Sequence, residues 1–205
     1  MSDESVDESL EEPTSVPDTS SELTSRQRRR RSAKRSTIEW AVIVVAAVLV
    51  SFLLRTFVLQ TYYIPSGSME PTLLIGDRII VSKLSLDFGS IHRGDILVFK
   101  APPSEHCGTP VTDLVKRVIG LPGDHLTSVG NTIYVNGKAL KITWQHYEPL
   151  GLPIGHVTVA KNHYFMMGDN YPDSCDSRYW GTVPRSDIVG RAFFRIWPFS
   201  RIGFL

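Results

Sequence analysis

The stretch Asp113-Leu114-Val115-Lys116-Arg117-Val118-Ile119-Gly120 decides how the rest of the chain is read. It is short, rich in aliphatic and β-branched side chains, and closed by a glycine, as a strand would be. Side chains alternate across a strand, so Leu114, Lys116 and Val118 share one face while Val115 and Arg117 share the other. Two adjacent cations in one apolar strand therefore meet different surroundings. Arg117 can stay paired or solvated, while Lys116 is held among aliphatics. Burial without a countercharge lowers a lysine pKa, because desolvation penalises the ammonium. An amine that is neutral near pH 7 can serve as a general base. A lysine snorkelling to the surface is the plain alternative.

Similar runs surround it: DRIIVSK (77–83), DILVFK (95–100), TIYVNG (132–137) and HYFMMGD (163–169). Val, Ile, Phe and Tyr dominate them, with Gly, Pro, Asn and Asp at their boundaries. Asn136-Gly137 lies between strand-like segments, where both residues tolerate the positive φ of a tight hairpin. Outside one apolar run near the N-terminus, no long amphipathic helical period occurs. The expected fold is mainly β: an antiparallel sheet domain over residues 60–205, with a small inserted β subdomain or hairpin at about 125–162. The closing segment AFFRIWPFSRIGFL (192–205) reads as core or edge strand, or as an aromatic, basic surface suited to the bilayer interface.

Before that domain, the chain is patterned by charge. The net charge of +1 hides eight acids and no basic residue in residues 1–25, followed by Arg26, Arg28, Arg29, Arg30, Arg31, Lys34 and Arg35. A segment so poor in apolar surface cannot offset its ordering entropy, so residues 1–36 are expected to be disordered. The basic cluster could suggest nucleic acid, but an almost wholly aliphatic run follows it, and no nucleic-acid partner is expected. No residue from Trp40 to Leu54 is charged. With its flanks, residues 37–59 approach the ~20 residues of a membrane span. Lys and Arg beside a span favour the cytoplasmic side, which places the tail inside and residue 60 onward outside. The polar stretch ahead of the run is too long for a cleaved signal peptide, and no A-x-A-like site follows it. The expectation is an uncleaved single-pass anchor in the cell membrane, with lipid as a partner.

Directly after the anchor comes Ile64-Pro65-Ser66-Gly67-Ser68-Met69-Glu70-Pro71-Thr72. Its prolines and glycine predict a tight, non-helical turn that presents two serines. Either is an ordinary loop residue unless a base lies beside it, and a lysine can be that base. The run Gly168-Asp169-Asn170-Tyr171-Pro172-Asp173-Ser174-Cys175-Asp176-Ser177-Arg178-Tyr179-Trp180-Gly181 is a dense polar loop. It can be a solvated turn closed by an Asp176–Arg178 or Asp169–Arg178 pair, or a support for a catalytic group. No G-x-S-x-G, S-x-x-K or H-E-x-x-H occurs, and no phosphate-cradling glycine loop, so neither metal nor cofactor is expected. The two cysteines, Cys107 and Cys175, are equally compatible with a disulfide, which an exported domain permits, and with two thiols.

Taken in order, the apolar anchor, PSGSMEPTL (65–73), GDRIIVSK with RGDILVF (76–83, 93–99), KRVIGLPGD (116–124) and GDNYPDSCDSRYWG (168–181) resemble the bacterial type I signal peptidase family. The resemblance implies a Ser/Lys-dyad serine endopeptidase that removes signal peptides from exported preproteins, cleaving after small residues of the A-x-A kind. By it, Ser68 is the nucleophile and Lys116 its general base. Ser66 supplies a hydroxyl to the oxyanion hole beside the Ser68 N–H. Ser174 holds the Lys116 amine, Asp176 and Arg178 form a supporting pair, and Ile64 and Val115 line shallow apolar substrate pockets. Tyr171-Pro172 departs from the family's usual basic-then-acidic pair. Cys175 beside Ser174 is also unusual; bridged to Cys107, it would tie this loop to the segment leading into the Lys116 strand. The alternatives are a self-cleaving repressor-type Ser/Lys peptidase, which would carry a DNA-binding domain where the apolar run lies, and a non-catalytic anchored β-module.

Overall fold

The computed structural model describes residues 39–51, 59–86, 89–105, 107 and 112–205. The acidic and basic tail at 1–36 lies outside the described residues, as do positions 37, 38 and 52–58 of the expected anchor. What is described of that expected segment is an exposed helix, α1, at 39–51. No helix among the described residues is long and apolar enough to cross a membrane.

The remainder is antiparallel β. Its strands in chain order are β1 (Leu59–Tyr63), β2 (Arg78–Ser82), β3 (Ile96–Lys100), β4 (Asp113–Gly120), β5 (His125–Val129), β6 (Thr132–Val135), β7 (Lys138–Ala139), β8 (Val157–Thr158), β9 (His163–Met167), β10 (Val183–Pro184), β11 (Ile188–Trp197) and β12 (Gly203–Phe204). The larger sheet runs β1-β2-β11-β3-β4-β9-β10, with β12 also on β11, and the smaller runs β7-β6-β5-β8. The smaller sheet is built entirely from residues between β4 and β9. Its β6–β7 turn is Asn136-Gly137, at φ 53° and 77°. Both central residues thus adopt the positive φ that the Asn-Gly pair favours in a two-residue hairpin.

β3 explains where the core sits. Its residues Ile96, Leu97, Val98 and Phe99 are all buried, which accounts for a continuous apolar run rather than an alternating one. Leu97 and Phe99 pack with Val118, Met166 and Trp180 on one side, while Ile96 and Val98 pack with Ile64, Met69, Leu73 and Val81 on the other. A third cluster joins Ile119, Phe165 and Met167 of the large sheet to Leu126, Ile133 and Val135 of the small one. The closing aromatic segment contributes the longest strand, β11, which lies inside the sheet between β2 and β3.

Helices in this domain are single turns. Residues 65–72, read from sequence as non-helical, contain one 3₁₀ turn at Gly67–Met69, and a short helix α2 spans Ser177–Trp180. The Asp176 carboxylate accepts from the Arg178 N–H at the start of α2, satisfying a helix-end donor that would otherwise lack a partner.

Candidate active site

β4 enters the site with two buried cations, Lys116 at 3% exposed and Arg117 at 6%. Register pairs Lys116 with Leu97 and Arg117 with Ile96 on β3, so both backbones are fixed by the sheet. Their side chains go to opposite faces, as alternation requires. Arg117 reaches Asp169 with two hydrogen bonds, Nε to Oδ1 at 2.8 Å and Nη2 to Oδ2 at 2.6 Å. Lys116 makes no ion pair among the described residues. Its Nζ lies 2.6 Å from Ser68 Oγ.

That contact brings together the strand and the serine turn, 48 residues apart in sequence. The turn is held from two directions. Asn170 donates its backbone N–H to Ser68 O at 3.1 Å and its side-chain amide to Gly67 O at 3.1 Å. From β11, the Arg195 guanidinium donates to Thr72 O at 2.8 Å. The approach of the two loops explains Gly168. A Cβ there would collide with Ser68 O and Ser174 Oγ, so the position has no room for a side chain.

Burial is the largest influence on the Lys116 amine. It lowers the pKa from 10.5 to about 8, against a smaller upward pull from the Asp176 carboxylate and with a further push down from Arg178. As an ammonium, the group donates to Ser68 Oγ; once neutral, it can accept the hydroxyl proton. Ser66 is exposed, and its Oγ is 3.4 Å from Ser68 Oγ.

The polar loop supports this arrangement from beneath. Asp176 and Arg178 pair through two hydrogen bonds of 2.8 Å with both side chains almost fully buried. Arg178 also donates to the carbonyls of Leu150, Tyr171 and Ser174, and a planar fork of donors suits such convergence. Of the two closures the sequence allows for this loop, Asp176–Arg178 is the one formed, and Asp169 pairs with Arg117 instead. Ser174 is 4% exposed and lines the same groove as Lys116, but its hydroxyl accepts from the Gly168 N–H at 3.2 Å. Among the described residues, Lys116 Nζ has its one hydrogen bond to Ser68 and none to Ser174. Cys175 is joined to Cys107 by a disulfide, with Cα atoms 6.0 Å apart.

These groups open into a groove of about 580 Å³, whose lining includes Ile64, Ser68, Val115, Lys116, Ser174 and Cys175. Ile64 is buried at 3%, and Val115 is half-buried. Tyr62 lines it too, its phenol pushed up to about 12 by burial and then by the neighbouring Asp113 carboxylate, so it stays neutral. Sequence reasoning did not single out Asp169, Asn170 or Thr72 as parts of the site. The Thr72 hydroxyl donates to Asp169 Oδ2 at 2.5 Å, which ties the serine turn to the Arg117 pair. A run of polar residues in GDNYPDS was the available signal, but nothing local said which of them turn inward.

Comparison with known proteins identifies the family of the chain. A family model described as signal peptidase, peptidase S26, matches residues 37–197. A probable signal peptidase I-2 of Synechocystis is 43% identical over 143 residues, covering 70% of this chain and 65% of that protein, just under two thirds. A signal peptidase I of Leptolyngbya laminosa is 41% identical over 143 residues, covering 69% of this chain and 70% of its own. A third, from Bacillus caldolyticus, is 39% identical over 158 residues, covering 69% and 82%.

Proposed function

The chain belongs to the signal peptidase, peptidase S26, family, and on that premise we propose that it is a membrane-bound serine endopeptidase removing signal peptides from exported preproteins. The observation that carries the reading is the 2.6 Å contact between Ser68 Oγ and a buried Lys116 amine held down at about 8. At pH 7 roughly a tenth of such an amine is neutral, against roughly three in ten thousand at the ordinary value of 10.5. Burial thus supplies the base.

In the reaction, neutral Lys116 accepts the Ser68 proton as Oγ bonds to the scissile carbonyl carbon. The oxyanion that forms faces the Ser68 N–H and the Ser66 hydroxyl, donors placed where charge develops. Collapse breaks the C–N bond, and the Lys116 ammonium gives its proton to the leaving amine. Water then attacks the acyl ester, Lys116 takes its proton, and Ser68 leaves as the hydroxyl. Ser174, Asp176 and Arg178 act by fixing the loop that walls the amine.

The substrate enters extended. β1 pairs only with β2, and β9 joins β4 no earlier than Arg117, so β1 and residues 113–116 of β4 present strand edges to the groove among the described residues. A peptide can add to such edges by backbone hydrogen bonds, its alternate side chains setting specificity. Ile64 and Val115 offer apolar contact with little depth, which suits the small side chains of an A-x-A segment. The domain works outside the membrane, with the tail at 1–36 in the cytoplasm and residues 37–59 as anchor. Lipid contact is supported by Trp197, Phe199, Ile202 and Phe204, exposed at 44%, 74%, 49% and 83%, since aromatic side chains favour the interface.

The test is cleavage of a preprotein bearing an A-x-A site by the detergent-solubilised full chain. Wild type is expected to release the mature protein, with Ser68→Ala and Lys116→Ala at background. Intact substrate with all three would overturn the reading, and wild-type-like cleavage by either variant would remove the dyad.

A further inference from the structure

We propose that the Cys107–Cys175 disulfide is a positioning element of the peptide groove, so that the oxidised chain holds substrate more tightly than the reduced chain. The inference rests on the peptidase reading above. Both cysteines line the same groove as Ser68 and Lys116. Cys175 lies between Ser174 and Asp176, which are 4% and 0% exposed, and its own side chain packs against the cluster of Leu97, Phe99 and Trp180. The loop end of the bridge is therefore anchored in the core.

Among the described residues, the other end has few ties to the loop. Cys107 is exposed. Among the described residues, its segment reaches the loop through one further hydrogen bond, the Ser104 hydroxyl donating to Trp180 O at 3.2 Å. Glu105 accepts the Cys107 N–H at 3.0 Å, and its carboxylate lies within 4.8 Å of both sulfurs. This interaction is local to the segment and adds no tie to the loop. The bridge, spanning 68 residues, is the strong constraint that keeps this groove wall ordered before a peptide arrives. Pre-ordering a binding surface raises affinity by removing the entropy cost of ordering it on contact.

The dyad has ties that do not run through the bridge. Lys116 is fixed by the β3–β4 ladder, and the Ser68 turn by Asn170 and Arg195. Reduction should therefore act on binding more than on the chemical step. It requires a dithiol, which gives two electrons and two protons: the S–S bond breaks, two thiols form, and the dithiol closes to its own disulfide.

The experiment measures KM and kcat of the full chain in detergent, oxidised and after treatment with dithiothreitol, on a peptide containing the cleavage site. KM is expected to rise about tenfold on reduction, equivalent to about 1.4 kcal/mol, with kcat changed far less and the oxidised KM restored on reoxidation. Cys107→Ser/Cys175→Ser should show the raised KM without any response to dithiol. Labelling of Ser68 by a small acylating reagent, which has no need of the groove wall, should proceed alike in both states. Equal KM in the two states would overturn the inference while leaving the peptidase reading intact. So would an unchanged KM with a fallen kcat, or a reduced chain that has lost cooperative melting. Cleavage in neither state would remove the peptidase reading, and this inference with it.

Discussion

The two faces of β4 treat adjacent cations in opposite ways. Arg117 is buried with a carboxylate in bidentate contact, while Lys116 is buried against a hydroxyl. A guanidinium matches a carboxylate fork and stays charged. An amine without a countercharge gives up affinity for its proton instead. Sequence neighbours of one sign and similar burial thus meet different partners across the fold, and on the proposed reading one is structural and the other chemical. A shifted lysine beside a serine in a groove marks function, whereas a satisfied buried pair marks architecture.

The largest break in this contrast should come from the chemical face. Lys116→Ala should lower kcat/KM on the order of 10⁴-fold or more, since members of a catalytic unit fail together, with the chain still folded by circular dichroism. On the structural face, Arg117→Met should leave Asp169 buried and unpaired, costing about 3–5 kcal/mol in urea unfolding of the domain. Arg117→Met/Asp169→Leu should recover much of that loss. If the single variant unfolds like wild type, the pair does not hold the loop. Ser66→Ala should slow cleavage about 100–1000-fold without abolishing it, as for loss of one oxyanion donor; an unchanged kcat would take Ser66 out of the hole.

The smallest effect has the opposite sign. The folded Lys116 value of about 8 lies below its ordinary 10.5, so between these pH values the unfolded chain binds more protons. Wild-type stability should therefore rise across that window, and the full penalty of the buried ammonium, about 3 kcal/mol, is present below pH 8. Lys116→Met should be inactive yet more stable at pH 7, with its advantage shrinking between pH 8 and 10.5. A constant difference across that range, followed by thermal melting, would mean that the amine is not desolvated.

What could be read beforehand was local. Alternation in DLVKRVIG put Lys116 on a face with Leu114 and Val118, the short apolar runs yielded an antiparallel sheet, and Asn136-Gly137 marked a turn. Asp176–Arg178 could be offered as a pair because they lie two positions apart. Arg117–Asp169 could not, because the contact spans 52 residues and depends on how β4 meets the loop after β9. The same applies to β11. Its segment could be read as core, edge strand or membrane surface; Arg195 and Arg191 donate to the carbonyls of Thr72 and Ser90, which lets a basic strand lie inside a sheet. The choice of Ser68 over Ser66 rests in the sequence on resemblance alone, since a serine's neighbour across the fold has no local sequence signal. The cysteines could be bridged or separate until the loop and the Cys107 segment were placed side by side.

If burial makes Lys116 the base for Ser68, kcat/KM on a peptide free of titrating groups should rise about tenfold per pH unit and level off near pH 8, where the folded amine loses its proton. A profile flat through pH 8, or one still climbing to about 10.5, would contradict it.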